Sequence, residues 1–327
     1  MLSLFRNNNP YTVIILLIAT MLVKLQVLAH PLPPDVVDGH FLYGHVLQLL
    51  DVVFRGNAFA YTFIAVVMLF LQALYFKSIT ARHKLYPRST YLPALAFILL
   101  TSIFPAFNYF SCTLLINWCL LAGVDTILSL GQTQQPRKLL FNGGFIICLA
   151  ALLQFSAIGF FLLFFIGLAM LRSFNPSEWV VGAMGYFTPF YFYACILFLI
   201  DQLPLIAQWP HLGLSLPTHL SAPGYFIISI SGLLILFVCG FYAMQQQIAK
   251  NSVYGRRTWS VIIIYLLLSL LVAVFTDHTV KSAWLLIIPA SAMIITHGIS
   301  LEKSKRFSNF TFYFFLAFVL ACQLAIK

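Results

Sequence analysis

The sequence predicts an all-α protein that crosses a membrane about eleven times. Hydrophobic residues make up 61% of the 327 residues and charged residues only 8%, with a mean hydropathy of +0.96, a composition that excludes a water-soluble domain of this size. Apolar runs recur along the whole chain, and because lipid offers the backbone no hydrogen-bond partner, such runs must be helices. The alternating pattern of β-barrel strands is absent.

Eleven apolar runs define the predicted helices. In chain order they cover about residues 11–30, 58–76, 91–107, 112–130, 139–153, 156–171, 179–200, 224–244, 259–275, 283–297 and 310–325. The stretch from Leu139 to Leu171 is too long for one crossing, so we divide it near Gln154 into a hairpin of two short helices. No soluble domain, repeat or low-complexity tail interrupts this pattern. We therefore predict one integral membrane domain over residues 1–327.

The positive charges set the predicted orientation. With this helix count, all but four of the eighteen Lys and Arg residues lie on the side of the N-terminus. Arg55, Lys281 and Lys327 fall on the other side, and Lys24 lies inside the first helix. The positive-inside rule then gives a cytoplasmic N-terminus and a periplasmic C-terminus. Since these cations sit in loops between spans, the net charge of +10 indicates orientation, and membrane lipids rather than nucleic acid are the expected partners.

The first outer loop holds the main candidate site. Asp35, Asp38 and His40 lie there, in a chain with only eight carboxylate side chains. From about Asp38 to Val53 the apolar residues recur at intervals of three and four, which predicts an amphipathic helix lying on the membrane surface. We expect its apolar side chains to face lipid or the core. Two interpretations stay open: a catalytic acid/base site at the membrane surface, or an ordinary solvated loop.

Two further charged residues lie within predicted helices. Lys24 is a candidate for a functional role, because intramembrane charges are costly. The structural alternative is that its side chain snorkels outward or pairs with a loop carboxylate such as Asp38. Asp125 lies near the cytoplasmic end of its helix, where solvent or Arg137 would suffice to stabilise the carboxylate.

Histidine and cysteine spacing does not indicate a metal centre. His40 and His45 are five residues apart and lie on different faces of a helix, unlike the HxxxH and HxxHH pairs of membrane-bound iron enzymes. The six cysteines form no CxxC pair, which argues against zinc or a disulfide framework. We predict no cofactor and leave a divalent metal open.

Two segments resemble glycosyltransferases of the GT-C class, which use polyprenyl-phosphate sugars. They run from Asp38 to Leu50 (DGHFLYGHVLQLL) and from Phe141 to Leu153 (FNGGFIICLAALL), and are similar to the first outer loop and the start of the central hairpin of that class. Gly39 stands where the class commonly has Glu, and the frequent C-terminal soluble domain is absent.

The GT-C resemblance implies specific roles for the candidate residues. Asp38 would be the general base on a hydroxyl acceptor, with Asp35 and His40 beside it. The cations that neutralise the leaving lipid phosphate would come from Lys24, Arg55 and Lys281.

Over nearly its whole length the chain resembles an uncharacterised family of polytopic inner-membrane proteins of Bacteroidota. The resemblance is carried by Asn9-Pro10, Tyr91 to Leu95, Thr101 to Pro105, Glu178-Trp179, Gly185 and Thr188-Pro189. Members are often labelled as carotene-cleaving oxygenases, a label that the histidine spacing does not favour. The family implies a multi-pass protein of the bacterial inner membrane.

These observations lead to two main functional hypotheses. The first is a GT-C-like membrane protein that transfers a sugar from a polyprenyl-phosphate donor at the periplasmic face. The alternative is a non-catalytic membrane subunit of a cell-envelope assembly or secretion complex, which would bind other envelope membrane proteins. A solute transporter ranks third, because broken helices with paired midplane charges are not evident in the sequence.

Overall fold

The protein is an all-helical membrane-embedded chain. The computed structural model describes residues 2–6, 9–31, 33–34, 41–210, 212–214, 223–248, 251–277, 280, 282–300 and 305–325. Helices and short 3₁₀ turns make up 82% of the described residues, and these residues include no strand. In this part of the chain, seven helices are long and apolar enough to cross a membrane: Tyr11–Ala29, Ala58–Arg82, Cys112–Leu130, Pro176–Leu199, Gly224–Ile248, Val253–Val274 and Ala283–Ser300. The other four predicted spans, residues 91–107, 139–153, 156–171 and 310–325, are not among these seven.

Fourteen α-helices follow one another in the described part of the chain. They are α1 (Leu2–Arg6), α2 (Tyr11–Ala29), α3 (Phe41–Phe54), α4 (Ala58–Arg82), α5 (Leu92–Thr101), α6 (Cys112–Leu130), α7 (Arg137–Leu153), α8 (Phe160–Leu171), α9 (Pro176–Leu199), α10 (Leu205–Gln208), α11 (Pro223–Ile248), α12 (Val253–Val274), α13 (Ile288–Ser300) and α14 (Lys305–Ala325). Short 3₁₀ turns at Pro105–Asn108, Phe155–Gly159 and Ala283–Ile287 join some of them.

Polar residues at the helix starts explain several of these bounds. The Ser111 hydroxyl accepts a hydrogen bond from the Leu114 amide at the start of α6. The side chains of Asn57 and Asn175 accept in the same way at the starts of α4 and α9. Such caps satisfy amide groups that have no partner within the helix.

The predicted break near Gln154 is present. Helix α7 ends at Leu153, and Gln154 has an extended backbone with φ −153° and ψ 128°. The Phe164 ring in α8 packs against Gly143 in α7. Because these residues lie at similar distances from Gln154 along the chain, α7 and α8 run antiparallel as a hairpin.

The predicted span 91–107 takes a different form. Only Leu92–Thr101 is an α-helix, and every residue in it is buried. Ten residues extend about 15 Å, half of a hydrocarbon core of roughly 30 Å. The chain then turns at Ser102 and enters a 3₁₀ turn that begins at Pro105, so the prediction of one continuous helix here is wrong.

Side-chain hydrogen bonds join the start of α12 to the ends of α4, α6 and α8. We call this end of the bundle the basic end. The Tyr254 hydroxyl, at the start of α12, donates to the Leu128 carbonyl near the end of α6 at 2.5 Å. Arg172, just after α8, donates to the Leu130 carbonyl at 3.1 Å. Arg82 at the end of α4 joins the same group through Asp125, as described below.

The opposite ends of these helices meet at what we call the α3 end. The Cys112 thiol at the start of α6 contacts the Leu153 carbonyl at the end of α7 at 3.2 Å. The Gln154 amide donates to Ser156 at 2.9 Å and to Thr276, just after α12, at 3.2 Å. Helices α6, α7, α8 and α12 therefore alternate in direction between the two ends.

Glycines allow helices α7 and α9 to approach closely. A methyl group added at Gly185 would overlap the Phe141 carbonyl, and one added at Gly144 would overlap the Gly182 carbonyl. Small residues at such crossings are typical of membrane helices, where association depends on van der Waals contact and not on release of water.

Candidate functional site

The most unusual polar group of the described bundle is Lys24. It lies in α2, five residues before the end of the helix, which places its Cα about 8 Å from that end. The residue has 0% exposed surface. Insertion of a lysine at the centre of a membrane helix costs roughly 2.5–3.5 kcal/mol, so its partners decide whether the fold tolerates it.

Lys24 is bound by the last residue of α5 and by the irregular segment that follows it. The Nζ nitrogen donates to the Thr101 hydroxyl at 2.9 Å and to the side-chain oxygen of Asn108. The Asn108 amide donates in turn to the Phe104 carbonyl at 3.3 Å. We call Lys24, Thr101 and Asn108 the lysine cluster.

This arrangement contradicts one of the two structural expectations for Lys24. The side chain does not snorkel outward, because it has no exposed surface. Within the described residues its partners are two neutral oxygens that lie 77 and 84 residues further along the chain. The alternative partner Asp38 lies outside the described residues. The predicted phosphate-binding role of Lys24 stays a prediction, and it requires the segment around Asn108 to move.

Helix α3 is attached to the bundle by its first turn. The Phe41 ring meets Tyr193 of α9 edge-on, with centroids 4.4 Å apart, and stacks on Trp209 at 5.5 Å. The Tyr193 hydroxyl donates to the Phe41 carbonyl at 3.1 Å and lies 3.2 Å from His45 Nδ1. A surface helix was predicted after the first span, and a helix is present there from Phe41 to Phe54.

The second half of α3 is exposed. Leu49 and Val53 are 71% and 70% exposed, whereas Phe41 is buried. Arg55 directly follows the last residue of α3. Its backbone is left-handed, with φ 49°, and Gly56 comes next. Fourteen helical residues extend about 20 Å, so Arg55 lies far from the first turn of α3.

Aromatic stacking links α3 to the lysine cluster. The Tyr43 ring of α3 stacks on Phe110 at 6.4 Å, and Phe110 is two residues beyond Asn108. Phe110 also packs against Tyr61 of α4 at 5.8 Å. A movement of α3 would therefore act on the segment that holds Lys24.

Only part of the predicted site lies within the described residues. Asp35, Asp38, His40 and Lys281 are outside them. Of the predicted site residues that are described, Lys24 is enclosed and Arg55 is exposed at the end of α3.

Asp125 has partners that the sequence did not suggest. Its carboxylate accepts hydrogen bonds from Tyr75 at 3.0 Å, from Arg82 at 2.5 Å and from His83 Nε2 at 2.8 Å. The expectation that solvent or Arg137 would stabilise it is therefore incomplete. Helices α4 and α6 lie side by side in the same direction, which brings the end of α4 next to Asp125.

The sequence reasoning missed Thr101, Asn108, Arg82 and His83. One signal for Thr101 was available, because Thr101 and Ser102 interrupt an apolar run at mid-depth. For Arg82 and His83, no residue spacing indicates which acid they contact. Among the described residues, no three His, Cys, Asp or Glu side chains converge in a group that could hold a metal.

No family model, no characterised protein and no solved structure matches this chain. The fold and the buried polar clusters define a class: the protein is a multi-pass, all-α protein embedded in a membrane. The resemblances to the Bacteroidota family and to the GT-C class stay predictions.

Proposed function

We propose that this protein transfers a sugar from a polyprenyl-phosphate donor at the α3 end of the bundle. In this proposal it resides in the bacterial inner membrane and crosses it eleven times, counting the short helices. The N-terminus and the basic end are cytoplasmic, and the C-terminus and the α3 end are periplasmic. The observation that carries the proposal is the attachment of α3. Its first turn is held against the bundle immediately after the segment that contains Asp35 and Asp38.

The proposed chemistry needs a base and a cation close together. Asp38 is the base that removes the acceptor hydroxyl proton, with Asp35 and His40 beside it. The leaving lipid phosphate requires a positive group. Arg55 is the least favoured cation because it lies at the far end of α3.

Lys281 is the better cation in this proposal. Its described neighbours Val280 and Ser282 are buried, and the Ser282 hydroxyl donates to Thr113, at the start of α6, at 3.1 Å. This contact belongs to the α3 end, where the proposed reaction occurs. Lys24 has a structural role in this proposal, because it binds Asn108 in the segment whose Phe110 stacks on Tyr43 of α3.

The substitution Asp38→Asn tests the proposal in a native host that lacks the wild-type gene. Asn keeps the size and the capping capacity of Asp but removes the base. We expect lipid-linked sugar to accumulate as in the deletion strain, measured by mass spectrometry of lipid extracts at equal protein level. Asp35→Asn is the matched control and should be much milder. Normal lipid-linked sugar levels in the Asp38→Asn strain would remove the support for an enzyme.

A second candidate is a non-catalytic membrane subunit of an envelope assembly. The observation that favours it is the lysine cluster, in which buried polar groups satisfy one another. For such a subunit Asp38→Asn is silent, whereas substitutions at Lys24 change the size of the native complex on blue native gels.

A further inference from the structure

A cavity of about 330 Å³ opens at the basic end, between the end of α4 and the start of α12. Its walls include Arg82, His83, Lys84, Ser252, Tyr254 and Trp259. The volume lies at the lower limit of small-molecule sites. Because none of the described lining residues is acidic, the cavity favours an anion.

The charges around the cavity leave an excess of positive charge. Arg82 is neutralised by Asp125, but among the described residues no carboxylate pairs with Lys84. Ser252 caps α12, and the start of a helix carries partial positive charge. Acidic residues are absent from this first turn, and Arg256 and Arg257 follow instead. These positive groups repel one another, and an anion in the cavity would offset the repulsion.

The backbone at Lys84 is unfavourable for lysine. Its φ is 49°, and the Leu85 amide donates to the Thr80 carbonyl at 3.1 Å. This helix ending most often carries glycine at the left-handed position, because a Cβ atom is strained there. The presence of lysine at this position therefore indicates a binding role for its ammonium group.

His83 provides an independent observation. Its side chain is fully buried, and Nε2 lies 2.8 Å from Asp125 Oδ1. Among the described residues, Nδ1 has no hydrogen-bond partner. Buried polar atoms of this kind are uncommon and require an explanation. With Nε2 donating to Asp125, Nδ1 can accept a hydrogen bond or, on protonation, donate one.

We propose that this cavity binds a phosphate group, with Lys84 and His83 as the recognising side chains. The phosphate belongs either to the headgroup of an anionic lipid or to a soluble phosphate compound. Basic pockets between membrane helices are suited to anionic headgroups, and the start of α12 adds amide donors. This site lies at the opposite end of the bundle from α3 and does not depend on the proposed sugar transfer.

The test uses the full-length protein in nanodiscs of phosphatidylcholine, with or without a minor fraction of phosphatidylglycerol. Native mass spectrometry counts the phosphatidylglycerol molecules that remain bound after release. We expect Lys84→Gln to reduce binding about fivefold, the factor typical of one basic residue near an anionic surface. The matched control Lys138→Gln removes one exposed positive charge from the basic end without touching the cavity, and should leave binding within about twofold.

Lys84→Gly separates binding from folding. Glycine suits the left-handed backbone, so this variant should melt no lower than the wild type while binding is reduced as in Lys84→Gln. A second arm adds inorganic phosphate to the phosphatidylcholine nanodiscs. A rise in Tm that needs Lys84, without retained lipid, supports the site and assigns it to a soluble phosphate. Equal losses in the Lys84 and Lys138 variants, or no effect of either probe, would overturn the proposal.

Discussion

Replacing Asn108 by leucine tests whether Lys24 depends on its buried partners. The change keeps the approximate side-chain size but removes one acceptor from Nζ and the donor to the Phe104 carbonyl. A buried donor left without a partner costs about 1–3 kcal/mol, and a lost neutral hydrogen bond costs about 1 kcal/mol. We therefore expect Asn108→Leu to destabilise the protein by roughly 2–4 kcal/mol.

A double-mutant cycle with Lys24→Met isolates the interaction. In the Lys24→Met background Nζ is absent, so Asn108→Leu should cost only about 1 kcal/mol for the Phe104 carbonyl. The resulting coupling is about 1–3 kcal/mol, within the range for residues in one hydrogen-bond network. The assay is thermal unfolding in detergent micelles followed by tryptophan fluorescence, where 1 kcal/mol corresponds to roughly 2–4 °C in Tm for domains of moderate size.

Asn117→Leu is the matched control for this cycle. Asn117 is also buried, but its amide donates to Gln72 at 3.2 Å, so it shares no partner with Lys24. Its cost should be the same with and without Lys24→Met. If Asn108→Leu is equally costly in both backgrounds, the lysine cluster does not act as a unit and our account of Lys24 fails.

The remaining predictions concern packing and topology. Gly185→Ala should lower Tm strongly, because the added methyl group meets the Phe141 backbone. In the control Gly44→Ala the methyl group meets no atom within 4 Å, and the change should stabilise α3 by up to about 1 kcal/mol. Similar Tm changes in the two variants would contradict the close crossing of α7 and α9. Reporter fusions after Leu50 should be active in the periplasm and fusions after Arg82 in the cytoplasm; activity on the same side would show that α4 does not span the membrane.

The sequence was most informative where a single property decides the structure. Hydropathy alone placed the first helix within one residue of its observed end at Ala29, and the fourth span at Cys112–Leu130. The length of the apolar stretch from Leu139 to Leu171 required a break, and the chain does break at Gln154. A long apolar segment in lipid can satisfy its backbone hydrogen bonds only as a helix, so such segments are predicted well.

Tertiary partners could not be read from the sequence. Lys24 contacts residues 77 and 84 positions away, and its cost of burial is offset only after α5 and the turn at Pro105 are in place. Asp125 likewise receives its donors from the end of α4. Sequence spacing describes neighbours on one helix, whereas these contacts depend on how separate helices pack.

The predicted third span illustrates a different limit. Its hydropathy suggested a helix through residue 107, yet the α-helix ends at Thr101. The Thr101 and Ser102 hydroxyls each bond to the Ile98 carbonyl at the last turn, and Lys24 then binds Thr101. Hydropathy averages over a window and does not register a turn that buried side chains stabilise locally.

The enclosed position of α5 constrains how the chain is made. At ten residues, α5 is too short to be retained in the bilayer as an independent segment, and the irregular backbone after Thr101 needs protein cover. One side of α5 packs on α4, which is synthesised before it, but another packs on α13, which begins only at Ile288. A ribosome must therefore add nearly two hundred further residues before that side is covered. During this interval the membrane-insertion machinery or a chaperone has to shield α5, and chains arrested before residue 288 should be preferred substrates of membrane proteases.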